Sequence, residues 1–416
     1  MRLSNSKTIK YYLKNDKQLQ QTMRYNFDNI FIGQKEAKIA YDYINNGSTV
    51  INNNIFKKED INIFTSNISN YIGVDKNKVF TFYSEHSGIY FLLSQLKNVY
   101  PNKKFVVVPA FTCSVVVNAI TAAGLNPVFV DIELDTYGVS IDSLKEVLDT
   151  NSKNILLVII QHLFGIVSRD YDQLVGLCKN RKVLIMSDSA QSLGAFYYNK
   201  SIGTEEDFCI FSMQASKSIN TYTGGILIIN NEHYDFKYAY DLLEYPSHED
   251  LLYILKAYYY QYLRKIKNKY VLPLFLKKHK NDFVSSLHDS EENNNNIYNL
   301  QAQLLKKNNV YIKKYPNVLA KIANIQLNKL EDNIILRTKY YHNFVSNYNE
   351  EVYIKQNSRP SLLRIPIIRN SKYKNNVICE KNYLVGNLFS YYFGSNRNAE
   401  YAATNLVNFL KIDNYY

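Results

Sequence analysis

The chain has 416 residues, 46% of them apolar and 21% charged, which excludes an intrinsically disordered polymer and allows a large buried core. Its formal charge of +12 is uneven: eight basic residues and no acid fall within 251–280, and the near-neutral remainder weakens the case for a nucleic-acid surface spread over the whole fold. Four scattered cysteines (Cys113, Cys178, Cys209, Cys379), with no histidine at ligand spacing, exclude a disulfide framework and support no metal site.

Residues 1–75 read as short helical pieces with polar connectors. The opening stretch, MRLSNSKTIKYYLKNDKQ, has neither the apolar run nor the small-residue cleavage site of a secretory signal. No later stretch reaches the roughly 18 apolar residues of a membrane span, so a cytoplasmic location is expected. Across 76–245 the pattern changes. Seven apolar runs, KVFTFYS, KFVVVPA, NPVFVDI, ILLVIIQ, KVLIMSD, FCIFSM and GGILIIN, read as strands. Helical patterns such as SGIYFLLSQLKNVY, TCSVVVNAITAAG, SIDSLKEVLD and YDQLVGLCKN lie between several of them. Strand and helix in alternation predict an open, mainly parallel sheet covered by helices on both faces.

Residues 246–300 read as an insertion, an aromatic and basic helical run, LLYILKAYYYQYLRKIKNKY, followed by the polar break SEENNNN. Residues 301–416 read as a smaller α+β domain. It opens on one long helical pattern, NVLAKIANIQLNKLEDNIILRTKYYHNF, and continues through SLLRIPIIR to a final helix, AEYAATNLVNFLK.

Ligands of open α/β sheets bind outside the carboxyl ends of the strands. Those ends carry Ser84-Glu85-His86-Ser87 after the first run, Phe111-Thr112-Cys113 after the second, Asp188 and Gln191 after the fifth, and Ser212 followed by Lys217 after the sixth. An acid, an amine, and hydroxyls at a helix start converge on one rim. This set suits pyridoxal phosphate. Its aldehyde needs an amine, its ring nitrogen a carboxylate, and its phosphate the amides and hydroxyls of a helix N-terminus.

The stretch from about 60 to 235 resembles the DegT-type family of pyridoxal-phosphate sugar-nucleotide aminotransferases, within fold type I. The resemblance rests on PAFTCSVVVNAITAAGLNPVFVDIELDTYGVSIDSL, IIQHLFG, SDSAQSLGAFY and FSMQASKSINTYTGG, with YPNVLAKIANIQLNKL further on. It implies a fold type I transferase with a seven-stranded sheet and a smaller C-terminal domain. It also implies Lys217 as the lysine joined to the cofactor, Asp188 at the ring nitrogen, Gln191 near the ring hydroxyl and Ser212 at the phosphate. Related dehydratases carry histidine in place of the lysine, so aminotransfer is the implied reaction. The implied substrates are an amino-acid donor, glutamate by resemblance, and a nucleotide-linked keto sugar, with a homodimer sharing its active sites.

Three departures from the family pattern stand out. Ser84-Glu85-His86 replaces a Ser-Gly-Thr-like phosphate turn, with His86 and Ser87 as candidate phosphate contacts and Glu85 as a repelling carboxylate. Cys113 stands where an aromatic ring usually stacks on the cofactor, leaving Phe111 as the nearest ring. The insertion blurs the region that completes the partner's site, where Lys314 aligns with a phosphate-reaching residue. Two other readings stay open: another fold type I enzyme such as a lyase, and a non-catalytic binding or regulatory protein. For 251–280 the readings are packing against the core or a subunit, and contact with an anionic membrane surface.

Overall fold

The structure, a computed structural model, describes residues 32–46, 58–215, 217–266, 312–348, 351–368, 383–386, 396–399 and 406–411, with 274, 393 and 402 singly. Two N-terminal helices, α1 (Gln34–Asn45) and α2 (Glu59–Ile72), precede the sheet, and Gly73 ends α2 in the left-handed conformation. The main alternation then runs β1 (Val79–Phe82), α3 (Glu85–Val99), β2 (Phe105–Pro109), α4 (Ser114–Ala122), β3 (Asn126–Val130), α5 (Ile141–Asn151), β4 (Ile155–Gln161), α6 (Tyr171–Asn180) and β5 (Leu184–Asp188). A short hairpin, β6 (Phe196–Tyr197) and β7 (Lys200–Ser201), precedes β8 (Phe208–Ser212) and β9 (Gly225–Ile229).

All seven predicted runs lie in one sheet of order β1-β9-β8-β5-β4-β2-β3. The pairs from β8 through β5, β4 and β2 to β3 are parallel, and β9 alone is antiparallel to both neighbours. Every residue of the central strand β4 is buried, because helices cover both faces. The alternation of strand side chains builds two layers. Cys209, Phe211, Ile226 and Ile228 join one core, and Phe208, Ile210, Leu227 and Ile229 join the other, beneath α3 and α4.

After a short α7 (Lys237–Asp241) comes α8 (His248–Lys265) within the predicted insertion. Its Leu251, Leu255 and Tyr258 are fully buried and pack with α1, so the described part of the aromatic run is core packing. The rest of the basic run, from 267 to 280 apart from residue 274, and the SEENNNN break lie outside the described residues. Among the described residues no helix is long and apolar enough to cross a membrane.

The long helical pattern after residue 316 is divided. It forms α9 (Asn317–Leu327) and α10 (Leu330–Tyr348), with Asn328 and Lys329 between them. The break lets the Lys329 ammonium reach the buried Glu36 carboxylate on α1 at 2.7 Å. Next, β10 (Ser358–Arg359) pairs with β6, tying the C-terminal part back to the main sheet's surface. A separate antiparallel sheet follows, from β11 (Ile365–Ile368), β12 (Tyr383–Gly386) and β13 (Leu406–Lys411), with β13 central.

This last strand corrects the expectation of a final helix over AEYAATNLVNFLK. Helical residues are found at 397–399 and 402, but Leu406–Lys411 hydrogen-bonds to strands on both sides. Pairing with sequence-distant partners overrides the local helical pattern.

Candidate active site

The carboxyl ends of β1, β2, β4, β5 and β8 open onto one rim. Ser84 caps α3 there: its hydroxyl accepts from the Ser87 amide at 3.2 Å and lies 2.6 Å from the Ser87 hydroxyl. Cys113 is the N-cap residue of α4. The end of β5 is held on both sides, since the His162 amide donates to the Asp188 carbonyl (3.0 Å) and the Ser189 amide to the Ile210 carbonyl (2.9 Å).

Four groups share an electrostatic environment at this rim. Burial, then the charge of Glu85, push the Asp188 carboxyl up to about 7, against the Ala190 amide on its Oδ1 (3.1 Å) and the Lys217 ammonium, which lower it. Burial, then Glu85, push the Cys113 thiol up to about 11, while the charge of Lys217 acts the other way. Asp188, Glu85, Lys217 and Cys113 therefore come together from β5, α3, the loop after β8 and the start of α4. Lys217 is half-buried on that loop, where its amide donates to the Gln214 carbonyl at 3.1 Å.

The remaining predicted residues divide. Ser212 ends β8 at 2% exposure, and its hydroxyl has no hydrogen-bond partner among the described residues. Beside Glu85, His86 is pushed down to about 4 by burial and is neutral at physiological pH. Gln191, three residues past β5, is buried, and its Oε1 accepts from the Phe164 amide at 3.0 Å and supports the left-handed backbone of Phe164 (φ 61°). Phe111 is 1% exposed and packs in a core cluster with Ala110, Tyr137 and Phe164. Lys314 lies apart. Its ammonium donates to the Asp241 carbonyl at 2.6 Å and sits over the Tyr240 and Tyr245 rings, and the charges it feels are those of Asp241, Lys58 and Lys237. Within one chain it does not join the Asp188–Lys217 group.

Two contributors carry no readable signal in the sequence. Arg337 on α10 donates to the Ser218 hydroxyl at 3.1 Å, one residue past Lys217, and burial pushes its guanidinium down to about 10. An arginine on an amphipathic helix reads as a solvated face until the fold is known. Gln161, buried at the end of β4, donates to the carbonyls of Phe111 (2.9 Å) and Tyr137 (2.8 Å) and joins three segments of the rim. Among the described residues no group of histidines, cysteines and acids could hold a metal ion.

Comparison with known proteins agrees with this architecture. Residues 40–244 match the DegT/DnrJ/EryC1/StrS aminotransferase family, and the chain carries a domain of that family. It is 34% identical over 127 residues to GDP-perosamine synthase of Escherichia coli O157:H7, covering 30% of this chain and 34% of that protein. Similarly, it is 33% identical over 121 residues to a UDP-4-amino-4-deoxy-L-arabinose–oxoglutarate aminotransferase of Shewanella sediminis, covering 29% and 30%. The chain thus spans about a third of the length of these curated relatives. The crystal structure of the aminotransferase TlmJ from Streptoalloteichus hindustanus superposes with a TM-score of 0.62 at 16% identity, covering 91% of each chain. The fold is that of the fold type I aminotransferases.

Proposed function

We propose that this chain, which carries a DegT/DnrJ/EryC1/StrS aminotransferase domain, is a pyridoxal-phosphate-dependent aminotransferase acting on a nucleotide-linked keto sugar. The observation that carries the reading is the meeting of a buried carboxyl, Asp188, with the Lys217 ammonium at the carboxyl end of a mainly parallel sheet. The donor set suits the cofactor. Asp188 would face the ring nitrogen, Lys217 the aldehyde, and the unpartnered Ser212 hydroxyl with the first amides of α3 the phosphate.

When bound, pyridoxal phosphate supplies the aldehyde that accepts the amino group and the ring that withdraws electrons from the reacting carbon. Asp188 would keep a proton at the ring nitrogen. The Lys217 amine would take the proton from the donor's α-carbon and return one to the sugar carbon. Backbone hydrogen bonds fix the end of β5 and the turn that carries Lys217, which limits the freedom of both groups.

The names of the relatives support a nucleotide-linked sugar as acceptor and, through the oxoglutarate enzyme, glutamate as donor. A homodimer and a cytoplasmic location belong to the same proposal. The test is an absorbance spectrum with added cofactor, beside Lys217→Ala. A visible band that glutamate converts to the aminated form's near-ultraviolet band is expected in the wild type. A spectrum indistinguishable from free cofactor would overturn the reading.

A further inference from the structure

One charged group of the site has no part in that mechanism. Glu85 is 3% exposed at the first position of α3, and no described residue gives its carboxylate a hydrogen bond or an ion pair. Its backbone is fixed from behind. A β-carbon on Gly225 would lie 2.6 Å from the Glu85 α-carbon and 2.7 Å from its nitrogen, a separation that allows only glycine there. Gly225 also pairs with Phe82 of β1 and with Ser212 of β8. The start of α3 and the unpartnered, buried Ser212 hydroxyl therefore meet at one place. The first amides of a helix lack intrahelical acceptors, and with the helix dipole they form an anion position. Glu85, the first residue of α3, brings a carboxylate to that helix start.

None of the described groups around Glu85 forms an ion pair with its carboxylate. His86 beside it is neutral through burial, Cys113 at the start of α4 keeps its thiol proton, and Asp188 on β5 is a second acid. The cation among them is Lys217, on the loop after β8. On the strand that abuts it, β9, the contact is Gly225, which carries no charge.

We propose that Glu85 sets the charge of the phosphate pocket: its carboxylate, buried at the α3 N-terminus, stands beside the anion position, and a ligand phosphate is bound only against that negative charge. The cofactor is consequently held loosely and exchanges with the free pool. This inference rests on the reading of the site as a pyridoxal-phosphate site.

Pyridoxine 5′-phosphate and pyridoxine test it, because both are alcohols that cannot condense with Lys217 and they differ only in the phosphate. Their affinities are measured by calorimetry at about pH 8, where the phosphate is a dianion. Glu85→Gln, which keeps the shape and removes the charge, is expected to tighten pyridoxine 5′-phosphate roughly tenfold or more, the scale of a like-charge contact a few ångströms long near a protein surface. Pyridoxine affinity stays within about twofold of wild type by the same comparison, and Glu85→Asp, which keeps the charge, follows wild type for both ligands. Equal binding of the phosphate ester by wild type and Glu85→Gln overturns the proposal and leaves the cofactor reading intact. Equal tightening of both ligands also overturns it, since the side chain then acts through space and not charge. Absence of phosphate-ester binding by wild type and all variants removes both the proposal and the cofactor reading.

Discussion

The Arg337 guanidinium donates to the Ser218 hydroxyl across 3.1 Å and so ties α10 to the residue next to Lys217. Position 337 is separated from the lysine by 120 residues of chain, yet it braces the loop that must present the amine. Arg337→Ala is expected to leave the cofactor's visible band in place while slowing its conversion by glutamate roughly 10- to 100-fold, the cost of a misplaced reacting group. Single-turnover spectra check this, and an unchanged conversion rate would assign Arg337 to packing alone.

The Asp188 carboxyl makes the stability of the ligand-free protein depend on pH. Its proton is held more tightly in the folded state, where the value rises from 3.8 to about 7 through burial and Glu85, than in the unfolded chain. Folding stability therefore falls as pH rises from about 4 towards 7, by up to a few kcal/mol. Asp188→Asn removes that dependence. In the absence of cofactor the variant should match wild type in melting temperature at about pH 4 and below and exceed it by several degrees near pH 8. Parallel melting curves across that range would show that the acid is not held in an unfavourable ionised state.

Gly225 offers a purely steric test. Any β-carbon there meets Glu85 and Ser84 backbone atoms within 2.7 Å, and backbone cannot yield as a flexible side chain does. Gly225→Ala should push α3 away from β9 and destabilise the protein by about 1–3 kcal/mol, the cost of overpacking. Denaturant titration measures it. Retention of wild-type stability would mean that the helix start shifts freely.

Gln191 holds Phe164, whose φ of 61° lies in the left-handed region and whose amide has this side chain as its acceptor. Gln191→Leu leaves that buried N–H without its acceptor, at a cost of about 1–3 kcal/mol. The loss should appear as faster hydrogen exchange at Phe164. Unchanged protection there would mean that another acceptor replaces the glutamine.

Much of this molecule was legible in the sequence alone because its signals are local. All seven strands of the main sheet appeared as apolar runs, since strands buried on both faces must be continuously apolar. Asp188, Ser212 and Lys217 stood out as candidates because residues that follow such strands lie on the ligand side of the sheet. Periodicity does not encode partners. The antiparallel course of β9, the pairing that makes Leu406–Lys411 a strand, and the burial of α8 against α1 depend on segments far apart in the chain. The same holds for charge. Glu85 was visible as a residue out of place at a phosphate turn, but only the folded arrangement leaves its carboxylate buried without a hydrogen-bond or ion-pair partner among the described residues, and only there does it act on Asp188. The energy of a charge depends on the burial and the neighbours that tertiary structure creates.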